Sequence, residues 1–315
     1  MEKDDIIKRM IRERRVTIKM VKFYMEKEYR FSVIVSAFNV EQYIERAINS
    51  ILDQDFKNYE VIVIDDKSTD GTLDKILKYD GKINIIKNSI NKGLGGVRNI
   101  GIENAKGEYI VHLDGDDTLY STSTLKKIDK TISDNKPDIA FFGFQELNGN
   151  NDRLRIATKE NSTKEARLMC DAAFSVPSKC WRREFLIKNN IKFIEDVYYE
   201  DMIYSMKAVT LANETTYGEF PIFNYYKNRG GSIMTTPSIR RCTDMYKMLA
   251  YLMEIYEEAP EHLKPYVLSF ILNETKSLPL KVKGILSAIN NKENSPIFPK
   301  REYKFTDIKD IEGEL

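Results

Sequence analysis

The sequence predicts an α/β protein built on a doubly wound sheet, and three observations carry that expectation. Continuous apolar and β-branched runs recur from Arg30 onward: FSVIVSAF, YEVIVIDD, KINIIKN and YIVHLDGDD. Such runs suit strands of a parallel sheet, which are buried on both faces. Segments with apolar residues at helical spacing stand between them, and strands alternating with helices build βαβ units. Two of the runs also stop in clustered acids. Ligands bind outside the carboxyl ends of strands in such a sheet, so these acids would stand at the mouth of a cleft.

Residues 1–29 read as a separate piece. Ile7, Ile11, Ile18, Val21 and Met25 fall near a helical repeat, with Lys8, Arg9, Arg12, Arg14 and Arg15 beside them. That pattern predicts an amphipathic helix. Packing against the domain or a second copy is one role open to it; contact with an anionic membrane surface or a polyanionic acceptor is the other.

FSVIVSAF is the first strand, and Asn39 is placed to cap a helix carrying Val40, Tyr43, Ile44, Ala47, Ile48 and Ile51. YEVIVIDD is the second strand. Ser68 to Gly71 turns the chain into a helix through Leu77, and KINIIKN is the third strand. Asn91 to Gly96 reads as a glycine-rich turn and Val97 to Ala105 as a helix. Tyr109 to Leu119 is the stretch around which the rest is organised, a short apolar strand ending in Asp114, Asp116 and Asp117. IAFFGF is a further strand, residues 148–152 a turn, and mixed strand and helix follow Arg153. Glu200 and Asp201 open an amphipathic helix with Met202, Ile203, Met206 and Val209. Ile239 to Asn291 is helical, interrupted by Pro260 and Pro265, and the closing KFTDIKDIEGEL reads as a mobile or attachment segment.

Composition narrows the function. Lys and Arg total 49 against 48 Asp and Glu, a net charge of +1, so no global field draws the chain to nucleic acid or membrane. Either affinity would need a local patch. The three cysteines, Cys170, Cys180 and Cys242, lack metal-ligand spacing and read as reduced, buried thiols. Charged residues follow Met1, and no run approaches the roughly 18 apolar residues of a spanning helix. The expected place is therefore cytoplasmic, with peripheral contact at the inner face of a membrane left to residues 1–29. His112 alternates within a strand and reads as a core residue rather than a ligand.

Three clustered acids repel one another. A turn with a helix cap accounts for them, and so does a hard divalent cation, Mn²⁺ or Mg²⁺, that completes its shell with phosphate oxygens. GLGGVR (residues 93–98) looks at first like a dinucleotide fingerprint. Its last position is Arg98 rather than glycine, and it follows the third strand rather than the first, which argues against NAD or FAD. Backbone N–H groups and the Arg98 guanidinium approaching anionic or ribose oxygens is the preferred reading; a helix-start loop with a surface arginine is the plainer one.

Together these motifs amount to a resemblance. FSVIVSAFNVEQYI, VIVIDDKSTDGT and NKGLGGVRNIGIENAKGEYIVHLDGDD resemble the nucleotide half of family 2 glycosyltransferases of the GT-A fold. SKCWRREFLIKNNIKFIEDVYYEDMIYSMKA and YYKNRGGSIM are similar to their acceptor half. The resemblance implies a GT-A type mixed sheet over 30–236, divided into a nucleotide-binding half (30–120) and an acceptor half (121–236). An N-terminal helix precedes it, and 237–315 is a helical C-terminal region and tail.

The resemblance also implies roles. Ser36, Phe38, Asn39 and Glu41 belong to a nucleotide-sugar loop, Phe38 supplying a stacking face for the base. Asp66 matches the carboxylate that accepts the uracil N3–H, with Asp65 as a structural acid that sequence alone does not rank against it. Arg98, Lys227, Arg229 and Ser232 face the sugar nucleotide, Asp114 the ribose, and Asp116 and Asp117 the metal. Lys179 and Trp181 lie toward the acceptor, although the only tryptophan also reads as core. Asp201 is the base, with Glu200 as the alternative, because helical geometry turns neighbouring side chains about 100° apart. The implied activity is inverting, metal-dependent transfer from a UDP-sugar donor to a hydroxyl of a cell-surface glycan or lipid-linked precursor. A catalytically silent sugar-nucleotide module and a DNA acceptor are the competing readings.

Overall fold

The structure is a computed structural model that describes residues 29–149, 152–161, 163–169, 175–227 and 238–291. The helix expected over 1–29, Cys170, the segment with Arg229 and Ser232, and the charged tail lie outside the described residues.

In chain order the elements are β1 (Tyr29–Ala37), α1 (Ile44–Leu52), β2 (Tyr59–Asp65), α2 (Thr72–Leu77), β3 (Asn84–Lys87), α3 (Gly93–Asn104), β4 (Gly107–Asp114), β5 (Thr118–Leu119), α4 (Thr124–Ile132), β6 (Ile139–Leu147), β7 (Arg153–Arg155), α5 (Lys164–Met169), β8 (Lys179–Arg182), α6 (Arg183–Lys188), α7 (Glu200–Leu211), β9 (Thr215–Tyr226), α8 (Ile239–Glu258) and α9 (Lys264–Asn291). They form one mixed sheet in the order β3-β2-β1-β4-β8-β6-β9-β5, with β7 beside β6. β3, β2, β1 and β4 pair in parallel, whereas β8 runs antiparallel to both β4 and β6. β6 and β9 are parallel, and β5 closes antiparallel on β9.

Strand alternation assigns each face. On β4, Tyr109, Val111 and Leu113 join the layer under α1 and α4, while Ile110 joins the layer under α3, α7 and the C-terminal helices. Asp114 is the next member of the Ile110 set, so its carboxylate emerges on the α3 and α7 side. β1 divides in the same way, with Phe31, Val33 and Val35 in one layer and Ile34 in the other. Trp181 lies in the second layer, fully buried against Tyr204 of α7 with ring centroids 5.0 Å apart.

Four local expectations are corrected. Asn39 caps no helix: α1 begins at Ile44 without a side-chain cap, and Asn39 sits at a φ of 51° in the loop before it. α3 begins at Gly93 rather than Val97, so most of the presumed glycine turn is helical. α7 is buried nearly all round instead of amphipathic, because the sheet covers one side and neighbouring helices the other. The C-terminal helices break over Ala259 to Leu263, and Pro265 falls inside the first turn of α9, a position that tolerates it. Among the described residues no helix is long and apolar enough to cross a membrane.

Candidate active site

The loops after β1, β2, β3 and β4 meet at the carboxyl ends of the parallel strands, and α7 presents its first turn to the same place. Ser36 pairs with Asp114 across β1 and β4, and its carbonyl accepts the Gly115 N–H at 2.8 Å. Phe38 stands out at 44 % exposure, its ring free for stacking. Asn39 and Glu41, beside it, bond the neighbouring loop. The Asn39 Oδ1 accepts the Thr69 N–H at 2.8 Å, and the Glu41 Oε2 accepts the Gly71 N–H at 3.0 Å. Both side chains therefore brace the β1 loop against the β2 loop, Asn39 while remaining exposed.

Asp66 closes the base of the third loop. Its oxygens accept the N–H groups of Lys92 and Gly93 at the start of α3, each at 2.9 Å, and the Asn88 side-chain amide at 2.8 Å. A carboxylate at a helix N-terminus is favoured by the helix dipole as well as by these bonds. Asp65 differs: it is buried, and its Oδ1 has no partner.

Arg98 is the centre of the site. The early start of α3 puts it in the second turn, buried rather than on the surface, and its guanidinium reaches acids rather than open solvent. Nη2 donates to Asp114 Oδ1 at 3.0 Å and Nη1 to Glu200 Oε1 at 3.3 Å. The Phe193 ring lies 5.4 Å from its carbon. Burial alone would lower the Arg98 pKa, but Asp114, then Glu200 and Asp201, hold the charge in place and raise it. Gly95 makes the approach possible, since a Cβ there would stand 2.5 Å from the Ile194 carbonyl.

One guanidinium faces three acids, and two of them, Glu200 and Asp201, respond to it. Glu200 is pushed up to about 7 by burial and by Asp201, with Arg98 pulling the other way. The half-buried Asp201 is also raised, first by burial, against the opposing pull of Arg98 and Lys179. Both acids of the pair are therefore harder to ionise than ordinary carboxyls, with Arg98 offsetting part of that cost. His112 lies beneath, in edge contact with Phe193 at 5.8 Å, its pKa far below the ordinary value because of burial and Arg98.

The acidic loop is sealed from below. Asp117 is buried, and its Oδ1 accepts the Tyr226 N–H at 3.1 Å, which ties the acidic loop to β9. Asp116 is largely buried, and its carbonyl accepts the Arg46 guanidinium at 2.6 Å. Asp114 is the most open of the three, its side chain 30 % exposed. The Tyr225 phenol, pushed up to about 12 by burial and then by Asp117, Asp116 and Asp114, registers the negative field of the loop. Among the described residues no three His, Cys, Asp or Glu side chains converge on an ion position. The acids instead suit an ion shared with phosphate oxygens, since Mg²⁺ commonly takes only one or two carboxylates.

The residues expected on the acceptor and diphosphate side are placed differently. Trp181 is core, its indole N–H toward the Val176 carbonyl at 3.4 Å, and it supports α7 from beneath. Lys179 is fully buried, donates to the Ser175 carbonyl at 2.7 Å, and acts on Asp201 through its charge. Lys227, at the end of β9, is paired with Glu146 at 3.0 Å because the β6 and β9 ends lie in register.

Two contributors escaped the sequence reading. Arg46 stacks on Tyr226 at 3.6 Å while holding the Asp116 carbonyl, and Asn88 fixes Asp66. Arg46 sits on a helix where an arginine ordinarily faces solvent. Asn88 follows a strand directly and could have been read as a turn residue bonding an adjacent loop.

A family model described as Glycosyl transferase family 2 matches residues 32–190, half of the chain. The chain belongs to that family. The poly(ribitol-phosphate) beta-N-acetylglucosaminyltransferase TarS of Staphylococcus aureus is 30% identical over 269 residues, 81% of this chain and 46% of TarS. A cholesterol galactosyltransferase of Borreliella burgdorferi is 30% identical over 233 residues, 67% of this chain and 64% of that protein. The chain thus spans about half the length of TarS. Among solved structures, S. aureus TarS 1-349 in complex with UDP-GlcNAc superimposes with a TM-score of 0.67 at 28% identity, covering 79% of this chain and 73% of that one. A mannosyltransferase from Pyrobaculum calidifontis, in complex with GDP-Man and Mn2+, shares the fold at a TM-score of 0.56 and 16% identity, covering 89% and 84%. The mixed sheet and its helices are the GT-A fold of this family.

Proposed function

We propose that the chain is an inverting glycosyltransferase that moves a sugar from a UDP-sugar to a hydroxyl of a cell-surface glycan or its lipid-linked precursor. The observation that carries this reading is the Arg98 cluster, where one buried cation bridges Asp114 at the end of β4 and Glu200 at the start of α7. That bridge sets a donor-side acid opposite a second pair of acids, and inversion needs such a division: a base must stand across the sugar from the leaving diphosphate. TarS, a poly(ribitol-phosphate) beta-N-acetylglucosaminyltransferase by name and solved in complex with UDP-GlcNAc, supports both the UDP donor and a polymeric acceptor.

In this reading the nucleotide rests on residues 30–120. Phe38 stacks on the base, Asp66 accepts the uracil N3–H, and Asp114 holds the ribose. Asp116 would hold a Mn²⁺ or Mg²⁺ ion together with the diphosphate, and the resemblance alone assigns Arg229 and Ser232 to its phosphates. Such an ion, when bound, neutralises charge developing on the departing UDP. Asp201 removes the acceptor proton as the hydroxyl oxygen attacks the anomeric carbon. The bond from that carbon to the β-phosphate oxygen breaks with its electron pair leaving on UDP, while Glu200 stays fixed by Arg98.

The test is a panel of nucleotide sugars offered to the full chain with Mn²⁺ or Mg²⁺, with product anomers read by NMR. Turnover restricted to UDP-linked donors, with a β product from an α donor, supports the proposal. Retention of configuration, or preference for GDP- or CDP-linked donors, would overturn it.

A further inference from the structure

The loop that carries Glu200 and Asp201 follows a path its own residues disfavour, held from two sides. Asp196 and Tyr199 both adopt positive φ, 56° and 70°. Aspartate tolerates that region; a bulky aromatic rarely enters it unless its surroundings impose it. Tyr199 directly precedes α7, so whatever imposes its conformation sets the direction in which the first turn of α7 leaves the loop.

On one side the loop lies on α3. Asn99 exchanges two bonds with Phe193, its amide donating to the carbonyl and its oxygen accepting the N–H, both at 2.9 Å. Gly95 lets Ile194 approach the helix. On the other side lies α8. Asp244 is 0 % exposed, and its Oδ2 accepts the Tyr198 N–H at 3.1 Å. Arg240 donates to both the carbonyl and the carboxylate of Asp196. Lys247, on the outer side, pairs with Asp244 at 2.9 Å. A buried carboxylate is costly without partners, and α8 already packs through Met245, Met248 and Leu252. The acid therefore adds little to packing, and its inner partner is the peptide just before the strained tyrosine.

We propose that Asp244, assisted by Arg240, is a positioning residue for sugar transfer: it fixes the Tyr198 peptide and so the aim of Asp201. Neither residue bonds Glu200 or Asp201; both hold the loop that precedes them. The C-terminal helices thereby become part of the catalytic apparatus. This inference rests on Asp201 being the base.

The experiment measures kcat, donor KM and UDP affinity for the full chain with Asp244→Ala, Asp244→Asn and Arg240→Ala, alongside Asp201→Asn. Displacing a reacting group by about an ångström costs on the order of 100-fold, so Asp244→Ala should lose roughly 10- to 100-fold in kcat with UDP affinity held within about twofold. Asp244→Asn keeps an oxygen for the Tyr198 N–H and should recover most of that loss, and Arg240→Ala should fall between. A near wild-type kcat for Asp244→Ala overturns the inference, as does a loss shared equally by the asparagine and mirrored in UDP affinity. Should the alanine variant fail to fold, a wild-type kcat for Arg240→Ala overturns it. Asp201→Asn separates the two ideas: if it transfers normally the base assignment fails, whereas if it loses transfer while Asp244→Ala does not, the positioning role alone fails.

Discussion

Arg98 and Glu200 stand 102 positions apart in the chain, and their side chains meet at 3.3 Å inside the cleft. The same guanidinium holds Asp114 at 3.0 Å. A single buried cation thus joins the helix after the third strand, the end of the fourth strand and the helix that opens with the acid pair. Losing it would leave like charges facing one another in a poorly solvated site.

Arg98→Met should therefore destabilise the fold by about 3–5 kcal/mol, the usual cost of stripping one partner from a buried ion pair. Arg98→Lys should recover only part, because an ammonium lacks the rigid fork that reaches two acids at once. Urea unfolding decides it. A loss below about 1 kcal/mol would mean that the pair behaves like an exposed one.

Stability should fall with rising pH on account of Glu200. Its carboxyl is pushed up to about 7 from an ordinary 4.5, because burial and then Asp201 disfavour the charge more than Arg98 favours it. The folded chain then keeps a proton that the unfolded chain has released, so the stabilisation is complete below the ordinary value and is lost as pH rises through about 7. Glu200→Gln should melt above wild type at pH values beyond that window and converge with it below. Calorimetric melting across the range tests this; a difference that does not vary with pH would contradict it.

The local part of this site was legible in the sequence and the long-range part was not. The runs ending at Ala37, Asp65 and Asp114 showed themselves because parallel strands are apolar on both faces, and the acids followed at once in the chain. Gly93 to Gly96 hid the start of α3, since glycine is a poor helix former, and what it serves is the close approach of Ile194 from far along the chain. Trp181 read both as core and as an acceptor-side residue, and the pairing of β8 between β4 and β6 places it in the core. Lys227 looked free for phosphate until the β6–β9 register brought Glu146 beside it.

The base should be read by Asp66. Asp66→Asn presents an amide that can donate to the cytosine N3, so discrimination between UDP and CDP should fall by roughly 10- to 200-fold, the scale of one such contact. The ratio is the proper readout, because losing the charge also weakens the bonds to Lys92 and Gly93. A variant that rejects CDP as strongly as wild type does would assign the base to another residue.

UDP affinity should depend on Mn²⁺ or Mg²⁺, and Asp116→Ala should remove that dependence. Titration calorimetry in metal and in chelator reads it directly. Equal affinity for wild type in both would sink the assignment of Asp116.

The central claim is that Asp201 accepts the acceptor proton. It is tested most directly by comparing donor binding with transfer in Asp201→Asn. The account predicts UDP-sugar affinity close to wild type and transfer slowed by about 10²-fold or more, the usual scale for a general base. Transfer at a near wild-type rate, or lost donor binding in its place, would contradict it.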